Sequence, residues 1–370
     1  MSAGRAGLGS FSSGSRASVG SHQPAISIIV PVYNVERYIR QAFNSIIAQT
    51  FSDFEVVCVN DGSRDSSRKI IQDYIEHDPR FRVIDKPNSG YGATMNRGIQ
   101  EALGRYIAVL EPDDFYDSHA LEKLITAADA VNADVVKGNY WFYWSSPKER
   151  NSLVQVVSPS MTGHLFKASE EPEIFFSNPS LWSAIYKRSF LLGNGLKLLE
   201  TPGASFQDLG FSFKIWATAA RIFCISDPVL HYRQDNEKSS VNDPGKVFCV
   251  CDEFDSIEDF IKAVPGRKYL KPYAYRLRYD SYMWNFERLS PNLRAEFLDT
   301  MVGDLARGMQ NGEFVPSLFE PRQIVNLKLI ITDPEKFLRL YPEVPTKASK
   351  ARYYFKIGGF KLLKEESHKE

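Results

Sequence analysis

The sequence predicts an α/β protein: a mostly parallel sheet with helices on both faces, followed by a C-terminal helical unit. Three observations carry this expectation. From residue 25 to about 137, short apolar runs alternate with segments of helical period, and such alternation builds parallel sheets because each parallel crossover needs a connecting helix. After residue 138 the alternation loosens into aromatic and polar segments. From Lys246 onward Val247, Val250, Cys251, Phe254, Ile257 and Ile261 fall on a single helical stripe.

The first strand is read over residues 26–32, and Val35, Ile39, Phe43, Ile46 and Ile47 follow at helical spacing, with Asn34 placed to cap that helix. Strands at 55–59, 81–84, 105–110 and 134–137 then alternate with helices at 67–76, 93–103 and 118–131. A later helix is expected over 209–219 and a Tyr-rich one over 269–289. Residues 1–23 read as a disordered Ser/Gly-rich tail, native or an added leader. Residues 24–244 read as one α/β domain with halves at 24–138 and 139–244, and residues 245–370 as the helical region.

Composition limits the function. Lys+Arg 45 against Asp+Glu 45 gives zero net charge, so no nucleic-acid partner is expected, because polyanion binding rests on an excess of cationic side chains. No apolar run reaches the ~20 residues of a membrane-spanning helix. Cys58, Cys224, Cys249 and Cys251 lack metal-site spacing and read as reduced core thiols of a cytoplasmic protein.

In open sheets of this class, ligands collect beyond the carboxyl ends of the strands. Polar clusters follow four successive strands there: Tyr33-Asn34, Asn60 to Ser63, Lys86 to Gly90, and Glu111 to Asp114. Glu111, Asp113 and Asp114 crowd three carboxylates at one strand end, where a divalent cation would offset their repulsion. Hard oxygen donors without nearby histidine favour Mn2+ or Mg2+. The competing reading is that an Asp caps the helix near residue 118. Asp61 could accept from a ribose hydroxyl or a base N–H, or simply belong to an Asp-Gly-Ser turn. Tyr33 offers a flat face to a base, or packs.

Together, SIIVPVYNVERYI, VVCVNDGSRDSS and NSGYGATMNRGIQEALGRYIAVLEPDDF resemble the family 2 glycosyltransferases, inverting enzymes of the GT-A, Rossmann-like fold that use nucleotide sugars. The likeness is strong over residues 25–137 and continues more weakly to about 242 through LWSAIYKRSF, SFQDLGFSFKIW and LHYRQDNEKSS. The resemblance implies a nucleotide-binding half at 24–138 and an acceptor half at 139–244. It implies that Pro31, Tyr33 and Asp61 hold base and ribose, with Lys86, Asn88, Gly90, Asn96, Asp113 and Arg233 completing the nucleotide site. It implies that Glu111, Asp113 and Asp114 hold the diphosphate-bound Mn2+ or Mg2+. The family's acidic base matches Asp208, the competing reading being a cap of the 209–219 helix, and Gln207 beside it would face the acceptor; Trp182 reads as a stacking surface for an acceptor sugar or as core, and Arg233 as a phosphate clamp or a strand-end salt bridge. Two positions depart from the family pattern: Glu111 stands where Asp is usual, and Met95 where many relatives carry Arg.

The implied reaction is transfer of a sugar from a nucleoside-diphosphate sugar, UDP-sugar first, to a hydroxyl of a polysaccharide or lipid-linked glycan. Residues 347–364 mix Lys and Arg with aromatic and aliphatic residues, which suits either peripheral contact with the inner face of the plasma membrane or a helix with one face packed on the domain. Two other functions stay open. A sugar nucleotidyltransferase would need a Gly-rich phosphate loop, and residues 28–34 contain no glycine. A non-catalytic nucleotide-sugar or glycan-binding module would tolerate the departures at Glu111 and Met95.

Overall fold

A computed structural model describes residues 22–236 and 246–359. In chain order the first half forms β1 (Ile26–Val32), α1 (Ile39–Ile47), β2 (Phe54–Asp61), α2 (Ser67–His77), β3 (Phe81–Lys86), α3 (Tyr91–Glu101), β4 (Tyr106–Val109), β5 (Phe115–Tyr116), α4 (Ala120–Val131) and β6 (Val135–Trp144). There follow β7 (Arg150–Val154), β8 (Leu165–Phe166), β9 (Ala184–Lys187), α5 (Arg188–Gly193), α6 (Gln207–Thr218) and β10 (Ile222–Arg233). The helical region holds α7 (Cys249–Lys262), α8 (Lys271–Arg288), α9 (Pro291–Gln310), α10 (Pro321–Thr332), α11 (Pro334–Leu340) and α12 (Lys347–Gly358).

The strands form one sheet in the order β3-β2-β1-β4-β9-β6-β10-β5, with β7 on β6 and β8 on β10. β3, β2, β1 and β4 run parallel, and every residue of β1 and β2 is buried, as a strand covered on both faces by crossover helices must be. β9 enters antiparallel between β4 and β6, and β6 pairs parallel with β10. The sheet is therefore mixed: β1, β2, β3, β4, β6 and β10 run one way, β9 is reversed at its centre, and β5, β7 and β8 pair antiparallel beyond it. The apolar stripe expected from Lys246 onward is α7, and Val250, Phe254, Ile257 and Ile261 are buried in a cluster continuous with the sheet's core.

Asn34 does not cap α1. The helix starts after Tyr38, and Asn34 takes a left-handed φ of 53°. Its side chain instead accepts from the Arg64 N–H at 2.8 Å, tying the loop after β1 to the loop after β2. Neither Asp113 nor Asp114 caps α4, whose first turn follows His119.

Two glycines set how closely the loop before α3 approaches the chain before α6. Gly90 has φ 91°, and a Cβ there would lie 2.6 Å from the Thr201 carbonyl. At Gly92 a Cβ would lie 1.8 Å from the Leu199 carbonyl, so any side chain forces the two backbones apart. Gly92→Ala is expected to cost about 2 kcal/mol or more, the upper range for overpacking. Thermal denaturation checks this, and a melting temperature within one degree of wild type would contradict it.

Candidate functional site

The acidic cluster is positioned by a tight turn. Leu110 extends the β4 ladder by donating to the Ile29 carbonyl at 3.0 Å, and the chain then reverses through Glu111-Pro112-Asp113-Asp114, closed by the Asp114 N–H on the Glu111 carbonyl at 3.0 Å. Pro112 occupies the second turn position, where its fixed φ is already the one required. The turn leads into β5, whose residues pair with Leu230 and His231 near the end of β10.

The three carboxylates of this turn have three different settings. Glu111 accepts from the Tyr91 hydroxyl at 2.7 Å. Burial pushes its carboxyl up to about 8; the Asp113 and Asp208 carboxylates add to the rise and the Tyr91 hydroxyl opposes it. Asp114 is 1% exposed, and its Oδ1 accepts from the Arg233 backbone N–H at 2.9 Å. Its Oδ2 is buried with no hydrogen-bond partner among the described residues, and burial, with Asp113 nearby, raises this carboxyl well above the ordinary range. Asp113 is half-buried and accepts at Oδ2 from the Asn236 amide at 2.8 Å.

Three ligands converging on one cation, as expected of Glu111, Asp113 and Asp114, are not formed: among the described residues no group of three candidate ligands is poised around a common point. The donor chemistry still fits a divalent cation. The cluster is all carboxylate oxygen; burial chiefly raises Glu111, and the Asp113 and Asp208 carboxylates add a repulsion that a cation would relieve. Asp113 is the member that would hold Mn2+ or Mg2+, since such ions use one or two carboxylates with the substrate's phosphates.

Arg233, expected to clamp phosphate, is 5% exposed and committed to the chain. Its Nε donates to the Asp113 carbonyl at 2.9 Å, its Nη2 to Gln41, and its Nη1 pairs with Asp235 at 3.4 Å. Its guanidinium lies 4.9 Å from the Tyr38 ring centroid and 5.0 Å from that of Tyr143. It bolts the acidic turn to the end of β10 and is not free to meet a phosphate.

On the nucleotide side, Pro31 is buried within β1 and Tyr33 is 46% exposed just beyond it. Asp61 ends β2 and is 4% exposed; it accepts from the Ser89 and Gly90 N–H groups at 2.9 and 3.1 Å and pairs with Lys86. Lys86 also reaches the Ser89 hydroxyl at 2.5 Å. Asn88 is exposed and donates to the Asp61 carbonyl at 3.1 Å. Asn96 uses both ends of its amide on the chain before α6: it donates to the Leu198 carbonyl and Glu200 at 2.9 and 3.0 Å and accepts from the Leu198 N–H at 3.0 Å. It holds that loop rather than facing a ligand. Met95 is fully buried, whereas Arg97 is exposed and pairs with Glu101, so no cation replaces the usual Arg from this helix.

Asp208 stands in the first turn of α6. The residue before Gln207, Phe206, has φ 60°, a strained conformation for a bulky side chain that costs about 1–3 kcal/mol and collects at functional sites. Burial pushes the Asp208 carboxyl up to about 6, against the N–H groups of its own turn and the Lys137 ammonium, which hold it down. Gln207 is turned away: its amide donates to the Thr201 hydroxyl at 2.9 Å and accepts from the Ser205 N–H. Trp182 is likewise enclosed, 9% exposed, with the Tyr140 and Tyr232 rings at 4.5 and 5.1 Å. Neither presents the free contact surface expected of an acceptor residue.

Sequence reasoning missed three residues. Lys137 of β6 is 1% exposed and donates to the Ser180 carbonyl and hydroxyl and to the Ser183 hydroxyl at 2.9–3.0 Å; burial pulls it down to about 7. A lone Lys in the apolar strand 134–137 was its only signal. Tyr91, between Gly90 and Gly92, buttresses Glu111. Glu253 of α7 lies against the α6 backbone, where a Cβ at Gly210 would meet its Oε2 at 2.2 Å, so the helical region abuts the turn that carries Asp208.

The chain is similar to known proteins in sequence and in fold. The family model described as "Glycosyl transferase family 2" matches residues 27–190. The putative glycosyltransferase EpsH of Bacillus subtilis is 34% identical over 215 residues, 57% of this chain and 61% of that protein. The glycosyltransferase GlyG of Streptococcus pneumoniae is 37% identical over 221 residues, 56% of this chain and 70% of that protein. The chain thus spans 61 and 62% of the length of two Bacillus subtilis relatives. Among solved structures, Staphylococcus aureus TarS 1-349 in complex with UDP-GlcNAc aligns with a TM-score of 0.53 at 18% identity, covering 85% of this chain and 89% of that one. Mannosyltransferase PcManGT from Pyrobaculum calidifontis, in complex with GDP-Man and Mn2+, aligns with a TM-score of 0.50 at 15% identity, covering 91% and 88%. These structural likenesses establish the GT-A fold.

Proposed function

Because the chain belongs to glycosyltransferase family 2, we propose that it moves a sugar from a nucleoside-diphosphate sugar, UDP-sugar first, to a hydroxyl of a polysaccharide or lipid-linked glycan with inversion. The observation that carries the reading is Asp208, a half-buried carboxyl at the first turn of α6, with its pKa pushed up to about 6. That value lets it hold a proton in transit yet stay ionised at neutral pH. Complexes with UDP-GlcNAc and with GDP-Man and Mn2+ among fold relatives support a nucleotide-sugar donor and a divalent cofactor.

In this account Tyr33 offers its exposed ring to the base, and Asp61 shapes the ribose pocket by fixing the Lys86–Gly90 loop. Asp113 would hold Mn2+ or Mg2+, which when bound supplies Lewis-acid stabilisation of the departing diphosphate. Arg233 keeps Asp113 in place through its carbonyl, and Glu111 accepts from the Tyr91 hydroxyl beside it. Asp208 takes the acceptor's proton as its oxygen attacks the anomeric carbon from the face opposite the diphosphate. One displacement needs no covalent enzyme intermediate, so no nucleophilic side chain is required.

Among the described residues no helix is long and apolar enough to cross a membrane. Within α12, Tyr353 and Tyr354 are buried and Phe355 is 43% exposed, so one face of that helix packs on its neighbours. Residues 360–364 of the basic-aromatic segment, like residues 1–21, lie outside the described residues. We propose a cytoplasmic location, in keeping with four cysteines that stay free thiols.

The pH profile follows from Asp208. The base works ionised, so activity is present above its pKa and lost as pH falls through about 6. UDP release per enzyme at limiting donor is expected to drop about tenfold between pH 7.5 and 5. A flat profile over that range would exclude Asp208 as the titrating base. Slow metal-dependent hydrolysis of a UDP-sugar without acceptor separates the transferase from a non-catalytic binding module, which would release nothing.

A further inference from the structure

Away from the strand ends, the helical region forms an open cavity of about 430 Å³, within the size range of small-ligand sites. α8 supplies Asp280, Trp284 and Glu287 to its lining, α10 supplies Arg322, and the start of α12 supplies Lys347 and Lys350. Trp284 is the anomaly. Tyr275, Tyr279, Tyr282 and Phe286 on the same helix are buried, yet Trp284 keeps 47% of its surface exposed.

Trp284 also links the cavity to the site described above. Its ring meets Phe206 edge-on at 5.4 Å, and the Arg288 guanidinium lies over both rings, 5.4 Å from Phe206 and 5.7 Å from Trp284. Phe206 is the strained residue two positions before Asp208. An aromatic wall therefore runs from the turn that carries the candidate base to the mouth of the cavity.

The lining fits one ligand class better than others. A half-bare indole presents an electron-rich face to weakly positive C–H groups, such as those on the flat side of a pyranose. Asp280, paired with Arg276 and accepting from Gln323, and Glu287, paired with Lys350 and accepting from Tyr341, keep further lone pairs for ligand hydroxyls, and the Lys347 and Lys350 ammonium groups can donate. Arg322, Lys347 and Lys350 face Asp280 and Glu287 in the lining, with Glu287 and Lys350 paired at 2.7 Å, an excess of one cation that falls short of what a phosphate-rich ligand needs. Charged groups stand between Met283, Trp284 and Tyr354 in the lining, so it offers no continuous apolar groove for an amphipathic peptide helix.

We propose that this cavity is a subsite for sugar units of the acceptor glycan, holding the chain at a distance from the hydroxyl that Asp208 activates. The inference rests on the transferase reading for the word acceptor, but not for the binding itself. The test is titration calorimetry of the full chain with maltohexaose, chitohexaose and hexagalacturonate, repeated on Trp284→Ala, Trp284→Phe and Lys347→Gln. At least one hexasaccharide is expected to bind saturably to wild type. Trp284→Ala should weaken that binding at least tenfold, Trp284→Phe should restore part of it, and Lys347→Gln should weaken it two- to fivefold. No binding of any of the three sugars, or binding indifferent to Trp284→Ala, overturns the subsite. Wild-type UDP-sugar hydrolysis, measured alongside, keeps the two readings apart. Hydrolysis without Trp284-dependent binding removes the subsite and leaves the transferase. Trp284-dependent binding without hydrolysis upholds the cavity as a glycan site and removes the transferase.

Discussion

Asp208→Asn is expected to lower sugar transfer by about 10²- to 10⁴-fold, the range that a positioned general base contributes. The amide keeps the size of the carboxyl and its place in the first turn of α6, so the fold should persist. What it loses is the capacity to take a proton. The acceptor hydroxyl then has to attack while still protonated, or give its proton to water. Nucleotide binding should survive, because Asp61 and Asp113 lie on other elements. Circular dichroism and a UDP-induced thermal shift in the presence of Mn2+ provide the controls. Transfer within threefold of wild type would show that another group is the base.

Asp113→Ala is expected to weaken metal-supported UDP binding at least tenfold, about 1.4 kcal/mol, while binding of UDP measured without metal changes little. The reasoning is geometric. Of the three acids in the turn, Glu111 accepts from Tyr91, and Asp114 is 1% exposed, with Oδ1 on the end of β10 and Oδ2 buried without a partner among the described residues. Asp113 has its carbonyl fixed by Arg233 and its side chain only half-buried. Asp114→Ala is a different experiment, since it strips a buried partner from the Arg233 N–H and should chiefly destabilise the protein. Calorimetry with UDP, with and without Mn2+, decides the first. An unchanged Mn2+ enhancement in Asp113→Ala would exclude this residue as a metal ligand.

The alternating strands and helices up to residue 137 were legible in the sequence because both periods are imposed by burial on a two-sided sheet, and β1 and β2 are buried throughout. The reversed strand β9 was not, because four residues of Ala-Ile-Tyr-Lys carry no signal of direction. Asn34 misled because a residue suited to capping a helix is equally suited to a left-handed turn, and only the partner at Arg64 distinguishes the two. The acidic turn was visible as composition, yet its division of labour depends on what each carboxyl meets across the chain: Tyr91, Asn236 and the Arg233 backbone. Arg233, Gln207, Asn96 and Trp182 were read from a linear pattern that shows residue type without showing where the side chain's bonds are already spent. Lys137 and Glu253 act on the α6 turn from β6 and α7, at separations no local pattern reports.

The most direct test of the acidic turn and Asp208 as a transfer site is UDP release from a panel of UDP-sugars by the wild-type chain, with Mn2+ and with chelator, at pH 7.5. Slow release with at least one donor, present with Mn2+ and abolished by chelator, is the expected result. Release that ignores the metal, or none from any donor despite measurable UDP binding, would contradict it.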